Sequence, residues 1–113
     1  KLNAPVEITE GVRPACLPEE GYEVPVDTKC YATGWGESRG TGSYENLKQA
    51  EMFVQTEEKC STGGFRICLD SRSSHQGVCH GDSGGPLECK INGKYHVVGI
   101  ASFVTRTNFM SGL

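Results

Sequence analysis

The sequence lacks the features of membrane-spanning and nucleic-acid-binding proteins. No apolar run approaches the about 18 residues that a membrane-spanning helix needs, and the longest such run covers only residues 97–104. Lysine and arginine form no block, and 14 acidic against 11 basic residues give a formal net charge of −3. The electrostatic attraction on which nucleic-acid binders depend is therefore missing. We expect neither a membrane nor a nucleic acid as a partner.

Metal-ligand spacing is also missing. The chain has no CxxC pair, and Cys68, His75, Cys79 and His80 do not have the spacing of a zinc ribbon or a zinc finger. We expect no metal and no cofactor. Six cysteines in a short, glycine-rich chain instead indicate disulfide bonds and an oxidising compartment, although several connectivities stay open. A secreted, extracellular protein is therefore expected.

Composition favours strands and turns over long helices. The 113 residues allow one domain or part of one, and they include 15 glycines and 5 prolines, which interrupt helices. We therefore predict an all-β fold. The chain begins at Lys1 without methionine or a signal peptide and ends at Leu113 without an obvious closing element, so we expect a piece of a longer protein.

The order of turn residues and apolar residues predicts the elements. Four of the prolines fall in the first quarter of the chain, where residues 10–28 resemble an irregular linker. Residues 30–36 indicate a strand that enters a glycine turn, and the alternation within residues 47–56 indicates a second strand. From Cys60 to Gly85 the chain is predicted to be mainly loop.

A β-hairpin gives the clearest local signal. Residues 87–91 and 94–103 flank Asn92 and Gly93, a pair that tolerates positive φ at both centres of a two-residue turn. The two arms must therefore run antiparallel. Because residues 95–104 are largely apolar, we predict that the second arm is a central strand buried on both faces.

One nine-residue segment, CHGDSGGPL at residues 79–87, places a single serine among three glycines. Glycines allow backbone N–H groups to converge and a substrate to approach, as stabilisation of an oxyanion requires. Ser83 is therefore a candidate nucleophile. A plain Gly/Ser turn between disulfide anchors is the structural alternative.

Residues 81–85 also fit the GxSxG nucleophile elbow of α/β-hydrolases. That motif needs a helix directly after the serine, whereas Pro86 and the hairpin follow here, so this alternative is disfavoured.

The segment resembles the nucleophile loop of the chymotrypsin-like (S1) serine endopeptidases. The stretches KLNAPVEI, VRPACLP, CYATGWG, LKQAEMFVQTEEKC and VVGIASF resemble further segments of that family, in the same order and at similar spacing. The resemblance implies two packed antiparallel β-barrels. Residues 1–9 would then end the first barrel, residues 10–28 would connect the barrels, and residues 29–113 would form most of the second barrel, incomplete at its C-terminus.

The resemblance also implies roles for individual residues. Ser83 would attack a peptide carbonyl, and the N–H groups of Gly81 and Ser83 would form the oxyanion hole. Asp82 would form an ion pair with the α-amino terminus that zymogen cleavage releases. In the family, the catalytic histidine and aspartate lie upstream of the position of Lys1, so the missing N-terminal half would supply them.

No residue of this chain matches those two catalytic positions. His80 precedes Ser83 by only three residues on the same constrained loop, so a base role is disfavoured. Four other residues lack the family's motif: His75, His96, Asp27 and Asp70. We therefore expect the isolated chain to be inactive, since a serine without a base is a poor nucleophile near neutral pH, and to fold poorly alone.

The resemblance further implies a substrate preference. Gly77 occupies the base of the specificity pocket and supplies no charge to bind an Arg or Lys side chain. Ser102 and Val104 would bond the substrate backbone, and Ser102-Phe103-Val104 resembles pancreatic elastases, with Val104 shortening the pocket. We expect preference for small, aliphatic or other uncharged P1 residues, those just before the scissile bond, with aromatic residues second. The expected partners are polypeptide substrates and protein inhibitors.

The cysteines fit the resemblance with one departure. Cys30 would pair with Cys89 and Cys60 with Cys68, while Cys16 would pair with a propeptide cysteine outside the chain. In the family, the cysteine at the position of Cys79 normally pairs with a cysteine after the hairpin, but residues 108 and 109 are Asn and Phe here. Either Cys79 is free or residues 105–113 have diverged from the family. The favoured function is a secreted serine endopeptidase. The alternatives are a catalytically inactive homologue that acts as a binding protein, and an unrelated disulfide scaffold.

Overall fold

A computed structural model describes residues 1–37, 44–60, 66–72, 77–79 and 81–103. The elements of secondary structure in these ranges are five strands and one short helix: β1 (Lys29–Gly34), β2 (Lys48–Val54), α1 (Glu57–Cys60), β3 (Leu69–Asp70), β4 (Pro86–Ile91) and β5 (Lys94–Ile100). The strands form one sheet in the order β3-β2-β1-β4-β5, and every neighbouring pair is antiparallel. The prediction of an all-β fold is confirmed.

Strands β1, β2 and β4 form the centre of this sheet because each alternates buried and more exposed residues. Such alternation directs every second side chain to the same face of a sheet. That face carries the core, which consists of Cys30, Ala32, Ala50, Met52, Val54, Leu87 and Cys89, with Cys68 also buried. The predicted strands at residues 30–36 and 47–56 are confirmed, with ends displaced by a few residues.

A disulfide bond joins the two central strands β1 and β4. Cys30 and Cys89 are direct cross-strand partners with Cα atoms 4.4 Å apart, and both are fully buried. Val54 and Leu87 complete the buried cluster around them. Apolar burial and a covalent link therefore stabilise the same point of the sheet.

The hairpin between β4 and β5 is confirmed. Asn92 and Gly93 both have positive φ, at 49° and 82°, as a two-residue turn of this kind requires. The register shifts between Leu87 and Glu88, where a bulge interrupts the pairing with β5. A bulge of this kind bends the strand locally.

The prediction that the second arm is a central strand buried on both faces is wrong for β5. None of its residues is buried, and it is an edge strand of the sheet within the described ranges. On its outer side, the Val97 N–H donates to the Cys16 carbonyl over 2.9 Å. Apolar composition reflects a strand's tendency to be covered, whereas actual burial depends on which segments lie beside it.

Residues 1–28 contain no strand or helix beyond one isolated bridge between Thr9 and Val12. The end of this segment is held against β2, because Asp27 N–H donates to the Val54 carbonyl and Val54 N–H donates to the Thr28 carbonyl. Val24 packs on the core. The division of the chain at residues 9 and 28 stays a prediction.

The segment predicted as loop after Cys60 contains one short strand in its described part. A disulfide joins Cys60, at the end of α1, to Cys68, the residue before β3. The Cys68 carbonyl also accepts a hydrogen bond from Gln55 N–H over 2.8 Å. Within the described ranges, no helix combines the length and the apolar character that crossing a membrane requires.

Candidate active site

Ser83 lies in a tight turn between the core and the start of β4. The turn spans residues 82–85 and is closed by a 3.0 Å hydrogen bond from Gly85 N–H to the Asp82 carbonyl. Gly84, its third residue, has a φ of 85°, which an L side chain rarely adopts. Ser83 itself is exposed, whereas Asp82 beside it is buried. The turn thus directs neighbouring residues to opposite environments.

Asp82 has the most buried carboxylate of the described chain, with 3% of the residue exposed. Its Oδ1 accepts a hydrogen bond from Gly36 N–H at 2.8 Å, and its Oδ2 accepts one from Cys79 N–H at 2.9 Å. Asp82 N–H in turn donates to the Cys79 carbonyl over 3.1 Å. These bonds connect the residue before Ser83 to the end of β1 and to the chain just upstream.

The two glycines around Trp35 leave space for this carboxylate. A Cβ atom added at Gly34 or at Gly36 would collide with the side chain of Asp82. Gly81 also packs closely on this segment, since a Cβ there would lie 3.2 Å from the Cα of Gly36. Close backbone approach is a common reason for glycine within or next to a strand.

The C-terminal side of the turn is joined to the end of β5. Gly84 N–H donates to the Ala101 carbonyl over 2.9 Å, and Ala101 N–H donates to the Gly85 carbonyl over 2.8 Å. A Cβ at Gly85 would lie 3.0 Å from the Thr33 carbonyl oxygen. The position of Ser83 is thus determined from both sides, by β1 and by the segment after β5.

The backbone amides predicted to form the oxyanion hole are those of Gly81 and Ser83. Gly81 N–H and Ser83 N–H make no hydrogen bond to an acceptor in the described part of the chain. The N–H of Asp82, which lies between them, is used internally. Gly81 has a φ of 92°, a conformation that favours glycine.

The predicted substrate-binding residues have different environments. Gly77 is buried and Ser102 is exposed, whereas Val104 lies outside the described residues. His75 and His80 also lie outside them. His96 is half-buried on β5, where its Nδ1 lies 2.9 Å from the Lys94 carbonyl oxygen. None of the structure's hydrogen bonds connects His96 to Ser83 within the described ranges.

The structure contains the two disulfides that the resemblance implied, Cys30–Cys89 and Cys60–Cys68. Cys16 is a free, exposed cysteine, and Cys79 is a free, half-buried one. In the ranges that the structure describes, no three His, Cys, Asp or Glu side chains are grouped to hold a metal ion.

Sequence reasoning identified Asp82 but missed the residues that bind its carboxylate. Gly36 supplies one donor and Cys79 the other. The pair of glycines on either side of Trp35 was an available signal, because glycines in such positions often admit a neighbouring group. The partner, 46 residues further along the chain, could not be deduced from spacing.

Comparison with known families identifies the family of the chain. A protein-family model described as Trypsin matches residues 1–110, which is nearly the whole chain. The all-β structure and the two disulfides are consistent with that match. The chain therefore belongs to the trypsin family, the S1 family of chymotrypsin-like serine peptidases.

Proposed function

We propose that the chain is the C-terminal half of a secreted serine endopeptidase that cleaves peptide bonds through an acyl-enzyme on Ser83. One observation carries the proposal. Ser83 is exposed in a turn whose preceding residue, Asp82, is buried and bound by two backbone N–H groups. Burial of a carboxylate is costly unless hydrogen bonds or a counter-charge compensate for it, and here the two N–H groups that supply the compensation also position the residue before Ser83.

Asp82 is proposed to control the conformation of the turn. In the described part of the chain, no cationic side chain forms an ion pair with this carboxylate. The α-amino group released by zymogen cleavage is the proposed partner, as the family resemblance implies. That ion pair would add a third interaction to the hydrogen bonds from Gly36 and Cys79 and would hold the amides around Ser83 in place.

The proposed reaction takes place in two displacements. A histidine base from the N-terminal half, oriented by an aspartate, removes the hydroxyl proton as Oγ of Ser83 bonds to the peptide carbonyl carbon. The N–H groups of Gly81 and Ser83 stabilise the negative oxygen. The C–N bond then breaks, and the histidine returns its proton to the leaving amine. In the second displacement, a water molecule gives a proton to the histidine and attacks the acyl carbon. The bond to Oγ of Ser83 then breaks and the histidine returns the proton to Oγ, so the carboxylic acid is released and Ser83 is restored.

The proposed preference is for small, aliphatic or other uncharged P1 residues. It is supported by Gly77, which is buried and has no side chain to supply a charge. Ser102 is exposed one residue after Ala101, which bonds to the Ser83 turn, so Ser102 is well placed to bond an extended substrate. Peptides that differ only in this residue would test the preference, and a dominant preference for arginine would contradict it.

Labelling with a fluorophosphonate tests the catalytic role of Ser83 directly. We expect rapid covalent labelling of the complete, activated protein at Ser83, and none in the isolated chain, which lacks the base. The Ser83→Ala variant should lose about 10⁶-fold in kcat. Rapid labelling of the isolated chain would refute the need for an outside base.

An inactive homologue that acts as a binding protein is the second candidate. The free cysteine at position 79 favours it, because the family's disulfide partner is absent at residues 108 and 109 and the site has departed from the family pattern. A complete, correctly processed protein that neither reacts with the fluorophosphonate nor cleaves peptides would support this alternative.

A further inference from the structure

An exposed arginine lies beside the segment that follows β5. The guanidinium carbon of Arg66 is 4.7 Å from the centre of the Phe103 ring, within the range of a cation–π interaction. Both residues are exposed, and Phe103 retains 53% of its accessible surface. Arg66 precedes Cys68 by two residues, so the Cys60–Cys68 disulfide restrains the backbone close to it.

The guanidinium of Arg66 has no carboxylate partner among the residues that the structure describes. Arg72 provides an internal contrast. It lies 4.0 Å above the Phe53 ring, and its Nη2 is also 2.8 Å from Oδ1 of Asp27. Two arginines thus stack on aromatic rings, but only Arg72 forms an ion pair. Arg66 therefore keeps N–H donors for a carboxylate from another molecule.

The position of Phe103 relative to Ser83 indicates which molecule could supply a carboxylate to Arg66. Ala101 N–H donates to the Gly85 carbonyl, and the Ala101 carbonyl accepts from Gly84 N–H. Ser102 therefore lies next to the Ser83 turn, and Phe103 lies one residue beyond it. The proposed function has an extended substrate bond to Ser102, and we take the P1 residue of a peptide that pairs antiparallel with this segment to lie opposite Ser102. The second residue before the scissile bond would then lie opposite Phe103, and the fourth would lie on the same face.

We propose that Arg66, stacked on Phe103, is a specificity-determining residue that favours substrates with a Glu or Asp side chain two or four residues before the scissile bond. The inference rests on the proposed function, since it requires a peptide bound beside Ser83. A carboxylate at either position would lie close to a guanidinium that the aromatic ring holds in one orientation. The preference concerns this chain's own arginine and is separate from the choice of P1 residue.

Matched peptides that carry Glu, Gln or Lys at the second or the fourth position provide the test, with the complete, activated protein as the enzyme. We expect kcat/KM to be about 3- to 5-fold higher for Glu than for Gln at one of the positions, the scale of an exposed ion pair. Lys should be the poorest of the three. The preference should weaken as salt is added, because exposed charges are screened.

Substitutions assign the preference to Arg66. Arg66→Gln should abolish the difference between Glu and Gln, and Arg66→Glu should reverse it in favour of Lys. Arg72→Gln is the matched control: that side chain is also exposed and stacked, but it is already paired with Asp27. The Arg72 variant should retain the wild-type preference.

The outcomes separate this inference from the proposed function. Hydrolysis that disappears in Ser83→Ala but shows no preference for Glu would overturn the role of Arg66 and leave the peptidase intact. A Glu preference that survives in both Arg66 variants would also overturn it. If no peptide is hydrolysed in a Ser83-dependent manner, the proposed function fails, and the inference fails with it.

Discussion

Besides its antiparallel pairing with β4, strand β1 has two side-chain connections of very different character to the segment of residues 79–91. Near its start, Cys30 forms a buried disulfide with Cys89 inside an apolar cluster. Just past its end, Gly36 donates a single backbone hydrogen bond to the carboxylate of Asp82. The first connection is covalent and depends on little beyond correct pairing. The second depends on glycine at position 36 and on a buried carboxyl side chain.

This difference separates stability from control of the site. The disulfide holds β1 and β4 together whatever the conformation of the Ser83 turn. The Asp82 carboxylate connects Gly36, just past the end of β1, to the turn that contains Ser83. We therefore expect a change there to alter the turn and to leave the strand pairing in place. A protein that is assembled first and activated later requires such a separation, which agrees with the proposed activation by an ion pair to Asp82.

Removal of the central disulfide should cause the largest loss. We expect Cys30→Ala combined with Cys89→Ala to lower the free energy of unfolding by about 4 kcal/mol, because the bond constrains 59 residues of the unfolded chain. The Cys60–Cys68 disulfide closes a loop of only 8 residues. Its removal by Cys60→Ala combined with Cys68→Ala should lower the free energy of unfolding by about 2.5 kcal/mol. Urea unfolding of the complete protein measures both. Equal losses would contradict this explanation.

Asp82→Asn should reduce activity more than stability. An amide offers one acceptor where the carboxylate offers two, so it would turn an NH₂ group toward the N–H of Gly36 or Cys79. We expect kcat/KM to fall by about 10²- to 10³-fold, the scale of a lost oxyanion donor, with a stability loss of about 1–3 kcal/mol.

The matched control is Asp27→Asn, whose carboxylate is exposed and paired with Arg72. We expect this variant to change stability by no more than about 1 kcal/mol and to leave peptide hydrolysis unaltered. Full activity in Asp82→Asn would show that the carboxylate does not control the turn, and it would remove the distinction between the two connections.

A substitution remote from both connections should have the smallest effect. In Gly93→Ala the added Cβ atom would have no other atom within 4 Å, but the residue would have a side chain at a φ of 82°. We expect a stability loss of about 1–2 kcal/mol from backbone strain alone, with unchanged kcat/KM. Gly11→Ala is the control, since Gly11 also has open space around it but no positive φ. A comparable loss in both variants would exclude strain as the cause.

Local chemistry made much of the sheet predictable. Asn92 and Gly93 indicated the hairpin turn because few other pairs adopt positive φ at adjacent residues. The alternation within residues 47–56 indicated β2, and the structure has Lys48–Val54 there. The burial of β5 was predicted wrongly, because an apolar run does not specify which segments lie along its outer edge. In the described ranges, the carbonyl of Cys16 accepts a hydrogen bond there.

The candidate site was predictable to a lesser degree. The glycines around Ser83 indicated a constrained turn, and the family resemblance supplied the proposed roles of Ser83, Asp82 and Gly81. The bond from Gly36 to Asp82 and the stacking of Arg66 on Phe103 were not foreseen. Each joins residues more than 35 positions apart, and side chains in loops leave no periodic signal in the sequence.

The amino-acid sequence alone determined the all-β class, the hairpin at Asn92 and Gly93, and a glycine-rich turn around one serine, since these follow from backbone preferences of neighbouring residues. Only the tertiary structure decided that β5 lies at an edge of the sheet formed by the described residues, and that the Asp82 carboxylate is buried against Gly36. Burial and long-range hydrogen bonds depend on which segments the folded chain brings together, and distance along the sequence does not encode that.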